Sequence, residues 1–368
     1  MQIEAKRENF LAALYWAQSI VERRNTMPIL ANVLIESSKG DIRVTATDLE
    51  IGIRGRLDGI VSYEGMVSVN ARKLYEIVRE APEEIIQLKR LENEWVEIKS
   101  GKSFFKIVGM NAREFPQFPN FTGEKLFPVR TSVLGEMIEK TIFSVSTDET
   151  RRSLNGVFVE QGEGDNVRMV ATDGHRLAFI ERKIGSIGLE KGVNLPRKGL
   201  VELKKLLEEG EEGEVSIGFK ENMVLVAKGN IELFMRLVDG DFPDYDKVIP
   251  RGNPYTVRIK QDSFLQALRR VSILSSERYK GIKVEVKEDQ MLISANNPDL
   301  GEAVEEIAVD YHGKELAIGF NARYIIDVLG VLTSGGDVDI EIKDELSPSL
   351  IKKQEDEGYL YVLMPMRL

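Results

Sequence analysis

The chain has no cysteine and only two histidines, His175 and His312. Disulfide scaffolds, iron–sulfur clusters and thiolate zinc sites are excluded, and so is a cysteine nucleophile. Any catalytic histidine has to be one of those two. No apolar run approaches the roughly 20 residues that a membrane-spanning helix needs. The opening Met1-Gln2-Ile3-Glu4-Ala5-Lys6-Arg7-Glu8 lacks the apolar segment of a secretory signal, which leaves a cytoplasmic location as the expectation. Glycine-rich phosphate loops and nucleophile elbows are missing too. Positive charge is in deficit: 50 Lys and Arg against 60 Asp and Glu give −10. Taken alone, that balance argues against a nucleic-acid binder.

Apolar residues are in good supply, at 42% of 368, so the chain can bury a core throughout. At roughly 100–200 residues per domain, two to three domains are expected.

Internal repeats sharpen that expectation to three. An alternating strand ends in Ala46-Thr47-Asp48, a second in Ala171-Thr172-Asp173, a third in Ala295-Asn296-Asn297, so the alanines are 125 and 124 residues apart. Asn70-Ala71-Arg72-Lys73, Leu195-Pro196-Arg197-Lys198 and Asn321-Ala322-Arg323 each open an apolar-periodic stretch, in step with the first landmark. Phe115-Pro116 recurs as Phe242-Pro243. Each repeat also begins with a helical period: Phe10, Leu14, Ala17 and Val21; Leu134, Ile138, Thr141 and Val145; Phe264, Leu268 and Val271, with Asp262 and Ser263 as expected N-caps of the third. Helices are expected over 6–24, 71–80, 132–146, 196–207, 262–280 and 321–332, with short alternating strands between them. Two helices on one face of antiparallel sheets is the α+β solution for each repeat. Prolines and glycines at 116–128 and 250–254 mark the boundaries, giving domains 1–120, 127–246 and 254–368.

The repeats carry a family resemblance. Leu154-Asn155-Gly156, Ala171-Thr172-Asp173-Gly174-His175-Arg176-Leu177-Ala178, Pro196-Arg197-Lys198-Gly199 and Asp241-Phe242-Pro243-Asp244-Tyr245 resemble the middle domain of bacterial sliding clamps, the beta subunits of DNA polymerase III. Met27-Pro28-Ile29-Leu30, Thr47-Asp48-Leu49-Glu50 and the terminal Tyr361-Val362-Leu363-Met364-Pro365-Met366-Arg367-Leu368 match as well, so the resemblance runs in register along the whole chain. It implies three tandem DNA-clamp domains per chain and a head-to-tail homodimer whose six domains close a ring around duplex DNA, helices lining the hole. It further implies opening by a clamp loader, and docking of the replicative polymerase and other clamp-motif proteins through short peptides. No cofactor, metal or catalytic residue is implied.

Charge offers a test of that picture. The six expected helices carry seventeen basic and ten acidic residues, although helix propensity alone favours Glu as much as Lys and Arg. Such segregation is what a basic bore inside an acidic shell requires.

Carried over by the resemblance, the partner-peptide pocket comprises Leu154, Thr172, Gly174, His175, Arg176, Leu177, Pro243, Lys247, Val248, Val362, Leu363, Met364, Pro365, Met366 and Arg367. His175 also admits plainer readings, a structural turn histidine or an acid–base site with Asp48 and Asp173, but no nucleophile motif supports the last. Many family members have Arg where Lys247 stands, which puts planar or bidentate contact there in doubt. DNA candidates are Arg24, Arg72, Lys73, Arg197 and Lys198, each equally readable as a solvated surface charge. Some clamps place an aromatic pair where this chain has Arg152-Ser153, so Arg151 and Arg152 offer phosphate contact in place of stacking. For the dimer contact the resemblance points to Lys102, Phe104 and Phe105 in the first domain, against Ile273, Leu274, Asp299, Glu302, Glu305 and Glu306 in the third. Some members carry arginines at the positions of Lys102 and Phe104. A multidomain peptide-binding adaptor with no DNA role is the rival function; it shares the pocket but needs no basic bore.

Overall fold

The structure is a computed structural model that describes residues 1–21, 27–38, 40–117, 119–276 and 279–367. The first repeat runs β1 (Gln2–Lys6), α1 (Arg7–Ile20), β2 (Asn32–Ser38), β3 (Asp41–Thr47), β4 (Ile51–Leu57), β5 (Gly59–Tyr63), β6 (Gly65–Asn70), α2 (Ala71–Arg79), β7 (Ile85–Arg90), β8 (Val96–Ser100), β9 (Ser103–Ile107) and β10 (Gly109–Met110). The second runs β11 (Phe127–Arg130), α3 (Thr131–Ile142), β12 (Gly156–Gln161), β13 (Asn166–Thr172), β14 (Arg176–Lys183), β15 (Val193–Pro196), α4 (Arg197–Glu208), β16 (Glu214–Lys220), β17 (Met223–Lys228) and β18 (Ile231–Arg236). The third runs β19 (Tyr255–Lys260), α5 (Gln261–Val271), β20 (Gly281–Lys287), β21 (Gln290–Asn297), β22 (Gly301–Ala308), β23 (Leu316–Asn321), α6 (Ala322–Val331), β24 (Asp337–Ile342), β25 (Ser349–Lys352) and β26 (Tyr359–Leu363).

The order is the same three times, with β5 and β10 as additions to the first repeat. The landmark alanines mark equivalent places. Ala46, Ala171 and Ala295 are buried on β3, β13 and β21, each the middle strand of a three-stranded antiparallel meander. Each small side chain is buried, so a larger one there would be overpacked. Asn70 and Asn321 accept hydrogen bonds at the starts of α2 and α6, from the Lys73 and Arg323 amides, which is why those motifs open helices.

Several helices are shorter than their periodicity suggests. Asp262 and Ser263 do not cap α5: the helix starts at Gln261 after extended Lys260, and Asp262 lies inside the first turn, where a carboxylate suits the helix dipole. The α5 helix stops at Val271 and tightens into a 3-10 turn, Ser272–Leu274, which leaves Ile273 73% exposed. The α3 helix stops at Ile142 and leaves through short turns, Ser144 N–H to Thr141 and Val145 N–H to Ile142. Lys6 and Lys280 fall outside the helices, so among the described residues the helical excess of positive charge is smaller than the longer spans gave; Arg23 and Arg24 lie outside the described residues.

Contacts divide the chain into two compact units, Met1–Ser132 with Lys198–Leu237 and Val133–Arg197 with Val238–Leu368. The division passes through the middle repeat because hydrogen-bonded sheets cross from one repeat to the next. In the first unit β4 pairs β18, completing a nine-stranded sheet beside a five-stranded one that ends at β9. In the second unit β14 pairs β26, completing an eight-stranded sheet beside a four-stranded one that ends at β22. Among the described residues no helix is long and apolar enough to cross a membrane.

Candidate functional site

The Thr172–Leu177 loop is built by one aspartate. Asp173 Oδ1 accepts the amides of His175 and Arg176, Thr172 Oγ1 bridges the Gly174 amide and the Arg176 carbonyl, and Gly174 sits at φ +89°. Only glycine adopts that φ without strain. The first domain builds the same turn from Thr47 and Asp48, whose carboxylate accepts the amides of Glu50 and Ile51. The Thr-Asp motif is therefore turn architecture in both domains. What differs is the residue it delivers: Ile51 in the first domain, Arg176 in the second.

Arg176 is buried, and its guanidinium is fully engaged. It donates to Asp173 Oδ2 at 2.9 Å, to Asp327 Oδ2 at 2.7 Å and to the Phe143 carbonyl, and stacks 4.3 Å from the Tyr324 ring. Neither Asp327 nor Tyr324, both on α6, stood out in the sequence. Their spacing of three places them on one helix face, but nothing local says which cation they serve.

Strand pairing brings the C-terminus to this loop. Arg176 lies opposite Leu363 and Leu177 opposite Val362, and the Met364 amide donates to the His175 carbonyl at 3.0 Å. Two residues on, the Met366 amide donates to Gly319 at 2.8 Å, so the tail is pinned at both ends. Leu177, Val362 and Tyr245 share an apolar cluster with half-buried Phe158, Phe179, Phe242 and Ile249. Phe242 stacks on Phe158 at 4.9 Å, and burial together with Glu160 pushes the Tyr245 hydroxyl well above its ordinary pKa. Exposed Pro243 and Val248, with Lys247 paired to Asp244 at 2.7 Å, flank that cluster, and half-buried Leu154 ends the turn after Arg151. His175 and Met364 are exposed.

One expected pocket residue faces away. Strand alternation turns Leu363 to the opposite side of β26 from Val362, where it lies against Phe264, Ile318 and Phe320 in the core. It offers no side chain to a surface groove. Met366 and Arg367 line a second groove over β20–β22 with Tyr279, Leu292 and Val304.

In the second unit, buried Lys140 pairs with Glu136 and Asp356, and Arg182 pairs with the same two carboxylates. Burial opposes ionisation of Glu136, but hydrogen bonds from Arg182 and Lys140 outweigh it and push its pKa down to about 2. The other histidine, His312, lies exposed beside Asp289 and Asp310.

The DNA candidates are mostly engaged already. Lys73 pairs with Glu76 at 2.8 Å, Lys198 with buried Asp48, and Arg151 with Asp148 at 3.8 Å and the Asp173 carbonyl. Half-buried Arg72 and exposed Arg152 and Arg197 complete the set, while Arg24 lies outside the described residues.

At the two sheet edges, Phe104 is exposed and Phe105 half-buried on β9. On β22 the acidic run does not form one patch. Glu302 and Glu306 point outward with Val304, whereas Glu305 turns to the helix side and pairs with Arg270. Asp299 donates its amide to Asn297 in the preceding turn.

Tandem α+β repeats joined by continuous antiparallel sheets define the chain as a DNA-clamp protein. Residues 1–119, 128–244 and 246–367 match the models of the N-terminal, central and C-terminal domains of the DNA polymerase III beta subunit. The beta sliding clamps of Pseudomonas aeruginosa and Escherichia coli K12 are 37% and 36% identical to it, each over the full length of both chains. Crystal structures of the Pseudomonas aeruginosa beta subunit and the Bacillus subtilis sliding clamp both superpose with TM-scores of 0.94, at 36% and 30% identity, covering the whole of this chain and 100% and 99% of theirs. A Bartonella birtlesii clamp bound to griselimycin matches at a TM-score of 0.93 and 36% identity over both full chains. The chain belongs to the DNA polymerase III beta subunit family.

Proposed function

We propose that this chain is the processivity factor of a replicative DNA polymerase: a non-catalytic cytoplasmic ring of two head-to-tail copies that encircles duplex DNA. Clamp domains 1–120, 127–246 and 254–368 supply the ring, a clamp loader opens it, and the polymerase and other clamp-motif proteins dock at the Thr172–Leu177 loop and C-terminal tail. The observation that carries this reading is the repeated junction. The third strand of one repeat's meander pairs the last strand of the next repeat, β4 with β18 and β14 with β26. The same rule applied once more leaves β22 and β9, both at sheet edges, and an open edge is a template for pairing. A contact between unlike surfaces that closes on itself after two copies gives a ring and no filament.

DNA contacts in this reading run to phosphate alone, because a sliding ring has to be indifferent to sequence. Topology supplies retention, so an acidic protein with basic residues on the inner face of the ring suffices. The test is retention after loading. A ring stays on nicked circular DNA and is lost within seconds of linearisation; equal retention on both forms, or none on either with peptide binding intact, favours the adaptor.

A further inference from the structure

We infer, resting on the docking reading above, that Asp327 on α6 is a positioning residue for peptide binding: acting through Arg176, it holds the Thr172–Leu177 loop in the shape a partner peptide meets.

The two junctions within the chain differ at one spot. Ile51 lies opposite Met235 on β18, and Arg176 opposite Leu363 on β26, so these two positions are equivalent. Leu195 and Phe320 face the equivalent residues Val157 and Ile282. Counted from them, Gly199 on α4 matches Tyr324 on α6, and Glu202 matches Asp327. In the first unit Ile51 packs on Gly199, its Cγ2 3.2 Å from where a Cβ would stand. Glu202 serves other partners there, accepting from Ser19 at 3.0 Å and from Lys205 at 2.7 Å. In the second unit all three positions change together. The isoleucine is an arginine, the glycine is a tyrosine whose ring lies 4.3 Å from the guanidinium, and the carboxylate accepts from Arg176 Nη1 at 2.7 Å. Cation, stacking face and counter-charge form one device, since a buried charge needs pairing and filled donors.

The same arginine builds the loop through its backbone. Its amide donates to Asp173 Oδ1 at 3.1 Å, and its carbonyl accepts from Thr172 Oγ1 at 2.6 Å. Its neighbour His175 is exposed, and the His175 carbonyl accepts the Met364 amide, so loop and tail share one support. The guanidinium donates inward, to Asp173, Asp327 and the Phe143 carbonyl, and the side chain is only 9% exposed. It offers a peptide little surface of its own; its contribution to the pocket is position. The guanidinium fork is planar and rigid, so losing Asp327 at one prong shifts the bonds made by the others. A loop that has to be ordered during binding lowers affinity.

The test is the affinity of the full chain for a fluorescein-labelled peptide bearing the clamp motif of a replicative polymerase. Asp327→Ala should raise Kd about tenfold, and Asp327→Glu, which keeps the charge, should bring it back to within about threefold of the parent. Ile325→Val shortens a buried side chain on the same helix; as the control for stability alone, it should leave Kd within about twofold. Hydrogen exchange separates positioning from general loosening. In Asp327→Ala the His175 and Arg176 amides should exchange faster, while those of Phe179 and Ile180 further along β14 keep the parent rate. Unchanged affinity in Asp327→Ala, an equal loss in Ile325→Val, or faster exchange along the whole of β14 each overturns the inference and leaves the docking reading standing. If the unaltered chain binds no such peptide, the docking reading falls and this inference with it.

Discussion

Arg176 and Asp327 stand 151 positions apart in the chain and 2.7 Å apart in space. The buried guanidinium ties the turn at Asp173 to Asp327. Arg176→Ala leaves two carboxylates without their cation, which should cost about 3 kcal/mol, at the low end for a broken buried pair. Arg176→Lys should recover little, because an ammonium cannot serve three acceptors and a ring in that planar arrangement. Urea unfolding midpoints check both; an alanine variant as stable as the parent would show that the network contributes nothing.

The tail at Met364–Arg367 is held to its surroundings by two backbone hydrogen bonds, while its side chains are exposed or half-buried. Removing the last five residues should abolish binding of a clamp-motif peptide and lower the melting temperature by only a few degrees, as expected for loss of about 1 kcal/mol. Fluorescence anisotropy with a labelled peptide is the measurement; undiminished affinity would place the pocket elsewhere.

Ile273 makes little contact within its own chain. Ile273→Ala with Leu274→Ala should therefore leave the monomer folded while removing roughly 3–6 kcal/mol of packing at the proposed seam, by large-to-small substitution costs. Sedimentation velocity at nanomolar concentration should return a monomer with an unchanged circular dichroism spectrum.

Glu136 couples stability to acid. Its pKa in the folded chain lies at about 2, below the ordinary carboxylate value of 4.5. Its ionised form thus favours the fold fully above about pH 4.5, and that contribution declines as pH falls towards 2 and the folded chain takes up the proton. Glu136→Gln should lower stability at neutral pH and flatten the dependence between pH 4.5 and 2. A variant whose acid-unfolding curve parallels that of the parent would contradict this.

How much of this was legible beforehand depends on the range of the interaction. Ala46, Ala171 and Ala295 revealed the repeat because a buried small residue is fixed by its own strand. The turns at Asp48 and Asp173 were visible for the same reason, since their hydrogen bonds close within three residues. The start of α5 was misplaced by one or two residues because Asp262 serves a first turn as well as a cap. The inward face of Leu363 was hidden by a motif read as a unit, where strand alternation splits it. Tyr324 and Asp327 were invisible because their partner comes from another domain, and Glu305 was grouped with Glu302 and Glu306 until Arg270 separated them.

The pairing of β14 with β26 also bears on what holds successive domains together. Between β18 and β19 the backbone passes through exposed Arg251 and Gly252, an accessible site for trypsin. A cut there severs the peptide chain but leaves the five facing residue pairs from Arg176–Leu363 to Ile180–Tyr359 intact. Covalent continuity at that point is redundant with the sheet, so the two fragments of the nicked protein should stay associated in solution and separate in denaturant.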